Sequence, residues 1–503
     1  MSETSLRDIR LQKLARMREL GHDPYSIEKW EITDTAAGLK EKFELDREVS
    51  FAGRIRAPRV MGKAGFADLT DSDEKIQIYI RKDTAGDLAW ELYNLVDIGD
   101  HVGVRGKLFV TKTGEKSIAV QEFVPLSKSL EPIPYGHEKD GQIFSGLTDQ
   151  EVRYRHRHLD LLCVPESRKR LIQRAQVVSA VRRFFDDIGY LEVETPLLQL
   201  NAGGAAARTF STHYNAYEQD VKLRISLELY LKRLIVGDLP KVYEIGRVFR
   251  NEGVSNRHNP EFTLLEFYEA YVNLETMMAR VEDCFRFVAQ RVFGTTELAG
   301  IDFGKPWHRL DLLGAIEQHT GLTAEDLTDK ERAIARAREL DVPAKAIAAG
   351  GFIDLNADRN LGGLIEKLLE VFIEPTLQEP TFVVGYPIET SPLAKKDPAN
   401  PRMTRRFEGY VMGREVCNAF SEINDPIDQR ERFEQQVSER ERGDDEAHPM
   451  DEEFIYALEG GMPPTGGCGI GLDRMAMLLT GAEHIREILL FPFMKPESTE
   501  ADA

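Results

Sequence analysis

With 503 residues, 42% hydrophobic and 30% charged, the chain is too long for a single core and predicts two large domains or three smaller ones. The composition excludes a disordered or fibrous protein. No apolar run reaches the roughly 18 residues of a membrane span, and the polar start predicts no signal peptide. The net charge of −20 weighs against a nucleic-acid partner only as a total, and four scattered cysteines (Cys163, Cys284, Cys417, Cys468) without a Cys-x-x-Cys pair exclude a zinc or disulfide framework and predict a reduced, cytoplasmic setting.

Residues 4–20 predict an amphipathic helix, with Ile9, Leu14, Met17 and Leu20 at helical spacing. Arg7, Arg10, Lys13, Arg16 and Arg18 concentrate on it, and residues 1–140 hold 22 Lys/Arg against 25 Asp/Glu. A local basic patch there can hold a phosphate backbone whatever the sign of the whole chain. From Val49 to about Pro125 the pattern turns to five short alternating runs broken by Gly and Asp. This predicts a small Greek-key barrel of the oligonucleotide-binding type. Such barrels stack bases on surface aromatics, which nominates Phe66, with Gln77 and Glu122 as readers of base edges. The competing reading of Phe66 is a core aromatic.

Residues 130–149, rich in Pro and Gly, read as a linker. Beyond it the texture is α+β: a helix over 167–188, a strand over 190–196, and a helix over 227–234. A hairpin with arms Lys241–Arg250 and Glu261–Tyr268 follows, then helices around 272–293 and 308–376. Two strands (406–412 and 414–422) precede a glycine-rich strand that runs into a helix (466–479). Residues 497–503 read as a disordered tail, and the run 444–453 as a solvated acidic surface.

The hairpin is the most informative segment. Residues 247–268 hold three arginines, three glutamates, one histidine and three phenylalanines. Charges of both signs on one surface either pair across the strands or serve a ligand that itself carries phosphates and an amine. Glycines 466, 467, 469 and 471 fit neither a P-loop nor a dinucleotide fingerprint; they suit close backbone approach, with Arg474 aimed at an anion. Glu408 and Glu415, on adjacent strands, either bridge magnesium beside substrate phosphates or are two solvated glutamates. His258 either touches a polyphosphate or is an exposed loop residue. Met475, Met477, Leu478 and Leu479 read as core.

Together these segments resemble the three motifs of the class II aminoacyl-tRNA synthetases, and in detail the bacterial-type lysyl-tRNA synthetases of subclass IIb. Phe185–Pro196 is similar to motif 1, the hairpin to motif 2, and Gly469–Arg474 to motif 3. Lysyl-type signatures lie between them: Gly203–Arg208, Glu228–Arg233, Tyr154–Leu161, Ser391–Lys395 and Asn418–Asp425. The resemblance covers about residues 5–496. It implies a helix and OB-fold anticodon-binding domain over 1–135, a linker over 136–150, and a catalytic domain over 151–496 built on a mixed, mainly antiparallel sheet with flanking helices.

The resemblance also implies roles. Arg250 would hold the α-phosphate of ATP and Arg474 the γ-phosphate. Phe262 would stack on adenine, and Glu252, His258 and Asn259 would complete the nucleotide site. Glu408 and Glu415 would bind Mg²⁺, up to three ions per subunit. Glu228 and Glu422 would meet the ammonium groups of L-lysine, with Glu266, Tyr268, Asn418, Phe420 and the backbone of Gly204 lining that pocket. Arg59, Phe66, Gln77 and Glu122 would contact the anticodon of tRNA(Lys). The implied enzyme is a cytoplasmic, homodimeric lysine–tRNA ligase of protein biosynthesis, with no membrane partner. Leu227, Ala419 and Cys468 depart from the family pattern beside binding residues. The alternatives are an aspartyl- or asparaginyl-tRNA synthetase, whose pocket should be cationic, a relative that lysylates an elongation factor and lacks the barrel, and a non-catalytic paralogue that has lost motif arginines.

Overall fold

In the computed structural model, which describes residues 5–71, 74–139, 142–144, 146–357, 360–443 and 447–496, the chain forms two units, residues 1–149 and 150–503. The tail at 497–503 lies outside the described residues.

In the first unit, helix α1 (Leu6–Glu19) starts at a capping box made by Ser5 and Asp8. Its bases are largely taken within the unit: Lys13 pairs with Asp97, Arg16 with Glu91 and Glu19, Arg18 with Asp23, and Arg7 with Glu131. The helix is therefore docked through these charges as well as through Leu14 and Met17. Strands β1 (Glu48–Met61), β2 (Ala64–Thr70), β3 (Lys75–Arg81), β4 (His101–Val110) and β5 (Lys116–Ser127) close a barrel in the order β1-β2-β3-β5-β4. Strict alternation fills it: Ala67, Leu69, Ile76, Ile78 and Ile80 point inward, and their neighbours point out.

In the second unit, α2 (Pro165–Asp187) leads to β6 (Leu191–Glu192), a strand of two residues. Helix α3 (Glu228–Val236) precedes the hairpin β7 (Lys241–Phe249) and β8 (Glu261–Ala270), and α4 (Leu274–Phe293) follows. Next come β9 (His308–Asp311), β10 (Thr381–Pro387), β11 (Met403–Val411), β12 (Arg414–Ser421), β13 (Thr465–Gly471) and α5 (Leu472–Thr480). One eight-stranded sheet runs β9-β10-β11-β12-β13-β8-β7-β6; only the β6–β7 and β9–β10 pairs are parallel. Among the described residues, four α-helices between Leu312 and Leu368 form a separate core with Val383 and Tyr386 of β10 and Tyr410 of β11.

The period of two divides this sheet cleanly. Leu265, Phe267, Cys417, Ala419, Cys468 and Ile470 point to one face and pack under α2 and α4. The intervening residues (Leu264, Glu266 and Tyr268 on β8, Asn418 and Phe420 on β12, Gly467, Gly469 and Gly471 on β13) all line the cleft on the other face. The glycines make room for it: a Cβ on Gly467 would sit 2.0 Å from Glu422 Oε1 and 2.4 Å from Tyr268 Cε1. Asp473, at the start of α5, ties the motifs together. It accepts from the Thr263 backbone N–H (2.8 Å) and from Arg174 (2.7 Å), so strand, helix and α2 share one buried carboxylate.

Candidate active site

The cleft has a volume of about 530 Å³, and its two ends carry opposite charge. At one end lie Arg250 and Arg474. Arg250 follows β7; burial lowers its pKa, and its buried Nε has no hydrogen-bond partner among the described residues. Its guanidinium lies 5.2 Å from the centre of the Phe262 ring on β8. Arg474 donates to the backbone oxygen (2.9 Å) and Oε2 (2.8 Å) of Glu415. His258 Nε2 stands 3.4 Å from Arg474, while its Nδ1 contacts Ser255 Oγ at 2.8 Å. Burial, then the Arg474 charge, lowers the His258 pKa, and because a guanidinium can only donate, Nε2 is the acceptor in that contact. Asn259 is buried, donates to Glu261 O (2.7 Å) and leaves its Oδ1 without a partner among the described residues; Glu252 is exposed at the rim. A planar aromatic, two arginines and orphaned polar atoms at one end of a cleft suit a nucleotide phosphate ester.

At the other end three buried carboxylates converge. Glu228, the first residue of α3, and Glu422, just past β12, both pair with Lys232, which is itself fully buried. Glu266 accepts three hydrogen bonds, each 2.9 Å, from Ser226 Oγ, the Leu227 N–H and Tyr268 Oη. Burial and then the nearby Glu228 charge raise the Glu266 pKa from 4.5 to about 7, against the pull of those donors. Glu422 is pushed well up by burial, despite Lys232. Phe420 and Phe454 flank the Lys232 ammonium at 5.4 and 5.8 Å. Asn418 Oδ1 accepts from Arg406 (3.0 Å), and Gly204, at φ +89°, brings its backbone to the cleft wall. Burial raises the pKa of all three carboxyl groups, which share one resident ammonium, so a cationic ligand would draw them into the ionised form.

All expected nucleotide and amino-acid residues but one line this cleft. The exception is Glu408, which accepts from Arg406 (2.6 Å), Tyr386 (2.9 Å) and Tyr410 (2.5 Å) beneath the surface. Glu408 lies opposite Asn418 and Glu415 opposite Tyr410, so the two glutamates are offset along the hairpin rather than directly opposed, yet after burial the Glu415 charge helps raise the Glu408 pKa. Nor is either simply a solvated surface residue. Glu415 alone of the pair reaches the cleft, and no cluster of three metal-ligating side chains exists among the described residues.

Sequence reasoning missed four contributors. Lys232 lies one helical turn from Glu228, a spacing that signals an i,i+4 pair but not its burial. Arg406, Ser226 and His448 carried no signal. His448 sits in the run read as solvated acidic surface, yet it and Asp451 are buried, the latter capping the helix Glu452–Glu459.

On the barrel, Phe66 lies on the outer face rather than in the core. It stacks on its cross-strand neighbour Tyr79 (4.7 Å between centroids), which leans on Phe109 (5.7 Å). Arg59 is opposite Phe66 on β1, and Gln77, held by Ser117 Oγ (3.0 Å), is the next outward residue on β3. Glu122 is paired with Arg105 across β4 and β5 (3.0 Å). Tyr79 and Phe109 extend the aromatic surface that Phe66 alone suggested.

Two family models match the chain: class II tRNA synthetases (D, K and N) over residues 149–495, and an OB-fold nucleic-acid-binding domain over residues 49–126. The chain therefore belongs to the class II tRNA synthetases, with the barrel as its OB-fold domain. Relatives narrow the assignment. A lysine–tRNA ligase of Moorella thermoacetica is 48% identical over 502 residues, covering 99% of both chains. One from Thermoanaerobacter sp. (strain X514) is 48% identical over 97% of this chain and 96% of its own, and one from Enterococcus faecalis 47% identical over 97% of both. Among the class II enzymes, the chain is a member of the lysine–tRNA ligase family.

Proposed function

We propose that the two-ended cleft joins L-lysine to ATP and that the lysyl group then passes to tRNA(Lys) bound through the barrel. The observation that carries this reading is the charge split: buried Glu228, Glu266 and Glu422 at one end, Arg250 and Arg474 at the other. Lysine bound with its ammonium groups among the carboxylates would aim its own carboxylate at the arginines. An aspartate or asparagine pocket has no use for three buried glutamates.

The chemistry follows from that orientation. A carboxylate is a nucleophile at neutral pH, so no general base is required. Its oxygen attacks the α-phosphorus, the bond to the bridging oxygen breaks, and pyrophosphate leaves with the electron pair. Arg250 meets charge building on the α-phosphoryl oxygens and Arg474 the departing phosphates, a preorganised stabilisation. Phe262 and the Arg474 side chain hold the adenine plane, with Glu252, His258 and Asn259 around it. The 3′-hydroxyl of the tRNA then attacks the lysyl carbonyl, and AMP leaves. Mg²⁺, when bound, supplies Lewis-acid neutralisation of phosphate charge. Glu415 fits that ion, because Mg²⁺ uses one or two carboxylates plus substrate phosphates. Glu408 would be the second carboxylate for that ion: after burial, the Glu415 charge helps raise its pKa, a like-charge proximity that a divalent cation would relieve.

Phe66, Gln77 and Arg59, with Tyr79 and Phe109, form the surface proposed to stack and read anticodon bases, and Glu122 is its far edge. A homodimer is supported by the exposed apolar residues Leu191, Leu197, Leu198 and Leu200 after α2. A cytoplasmic setting is supported by four free, buried cysteines; among the described residues no helix is long and apolar enough to cross a membrane. The test is exchange of labelled pyrophosphate into ATP: lysine should drive it, and exchange driven by aspartate in its place would overturn the reading.

A further inference from the structure

Behind the acidic end of the cleft stands a histidine with no part in the chemistry above. His448 precedes the helix Glu452–Glu459, is 3% exposed, and lies flat on Phe433, with centroids 4.5 Å apart and planes at 9°. Its two nitrogens have partners that leave no freedom of tautomer. The Gly204 N–H, which can only donate, is 2.7 Å from Nε2; the Pro449 carbonyl, which can only accept, is 2.7 Å from Nδ1. The proton must therefore be on Nδ1, and Nε2 must be a bare acceptor.

The other end of this contact is equally constrained. Gly204 is at φ +89°, and a Cβ there would meet Ser226 Oγ at 2.7 Å and the Glu228 Cβ at 3.2 Å. A Cβ on Gly203 would fall 2.4 Å from the imidazole ring itself. The 203–204 segment is thus wedged between His448 and the two residues that carry the pocket's Glu228 and Ser226. The peptide bond is trans, so pulling the Gly204 N–H toward His448 turns the Gly203 carbonyl the opposite way.

We propose that His448 is a positioning residue for the amino-acid pocket, its bare Nε2 latching the Gly204 peptide so that the loop's backbone stays aligned beside Glu228. The inference rests on the lysine reading of that pocket. Burial lowers the imidazole pKa to about 4; Asp451 and the Pro449 carbonyl oppose this shift, and the Lys232 and Arg440 charges assist it. The acceptor is therefore intact at any working pH. Protonation would set an N–H against an N–H.

His448→Phe keeps the stack on Phe433 and deletes the acceptor, whereas His448→Gln supplies a side-chain oxygen in its place. Loss of one buried hydrogen bond predicts a lysine KM raised about tenfold in the Phe variant, with ATP KM unchanged and substantial recovery in the Gln variant. Amide exchange of the peptide containing Gly204 should quicken in the Phe variant without added substrate. That readout tests the latch even if the amino acid is not lysine; wild-type pyrophosphate exchange with lysine tests the pocket reading separately. Unchanged lysine KM with unchanged Gly204 exchange would overturn the proposal, as would equal losses for lysine and ATP that Gln does not relieve. If the Phe variant does not fold, the ¹⁵N-histidine spectrum of the wild type decides. One ring protonated on Nδ1 and not titrating between about pH 5 and 8 is expected; His448 protonated on Nε2 overturns the latch.

Discussion

Replacing Glu266 by glutamine should convert the pH dependence of lysine use while leaving the fold intact. Glu266 is buried and already accepts three hydrogen bonds, yet its pKa rises from 4.5 to about 7 through burial and the Glu228 charge. That displacement corresponds to about 3 kcal/mol against ionisation in the free enzyme. A lysine ammonium would recover much of it. In the wild type, kcat/KM for lysine in pyrophosphate exchange should therefore rise with pH through an inflection near 7. Glutamine keeps the carbonyl acceptor but loses the charge. A charge-assisted hydrogen bond is worth about 1.5–3 kcal/mol, so lysine KM should increase roughly tenfold to a hundredfold and the inflection should disappear. Stability gives an independent check. Because the folded pKa lies above the unfolded one, the folded free enzyme binds the extra proton between about 4.5 and 7, and its stability falls as pH rises through that window. Above it the variant, relieved of a buried charge, should unfold no earlier than the wild type. An inflection that survives in the variant with lysine KM unchanged would refute this use of Glu266.

Phe66→Ala should reduce tRNA charging about tenfold, as loss of one base stack implies, while pyrophosphate exchange and the unfolding temperature stay as in the wild type; a falling unfolding temperature would mark Phe66 as structural. Gly204→Ala should cost about 1–2 kcal/mol in backbone strain alone, plus the clash with Ser226, and steady-state kinetics should register it in lysine KM but not ATP KM. Asp473→Asn breaks a buried pair with Arg174, for which a loss of about 3–5 kcal/mol is expected. Denaturant titration should show the lowered midpoint, and a midpoint equal to the wild type would mean the carboxylate does not tie α2, β8 and α5 together.

Where the sequence was legible, local pattern and tertiary structure agreed. Barrel strands β2 and β3 alternate strictly, and the hairpin arms were visible because apolar and charged residues interleave around a Gly/Asn/Pro turn. Strands β9 and β10 were missed for opposite reasons. Four residues (His308–Asp311) are too few for a period, and Thr381–Pro387 is a short apolar run that helix and strand patterns share. Motif 1 promised a seven-residue strand but delivers two ladder residues, Leu191 and Glu192, with one further backbone bond from the Val193 N–H to the Tyr243 carbonyl on β7. At the site, the charge of Glu228, Glu266 and Glu422 could be read, but their burial and the Lys232 ammonium among them could not. The Glu408–Glu415 spacing suggested facing carboxylates, but the hairpin pairs Val411 with Arg414 and Tyr410 with Glu415, which leaves Glu408 across from Asn418. His448 looked like part of a solvated run because nothing local to residues 444–453 reports that Phe433 and Gly204 close over it.

The most direct test of the account is the amino-acid dependence of pyrophosphate exchange into ATP by the full-length protein. Lysine should drive it strongly, ornithine weakly, because one methylene is worth only about 1–3 kcal/mol, and norleucine and aspartate not at all. Exchange that follows norleucine as readily as lysine, or aspartate in preference to it, would contradict a pocket built on three buried carboxylates.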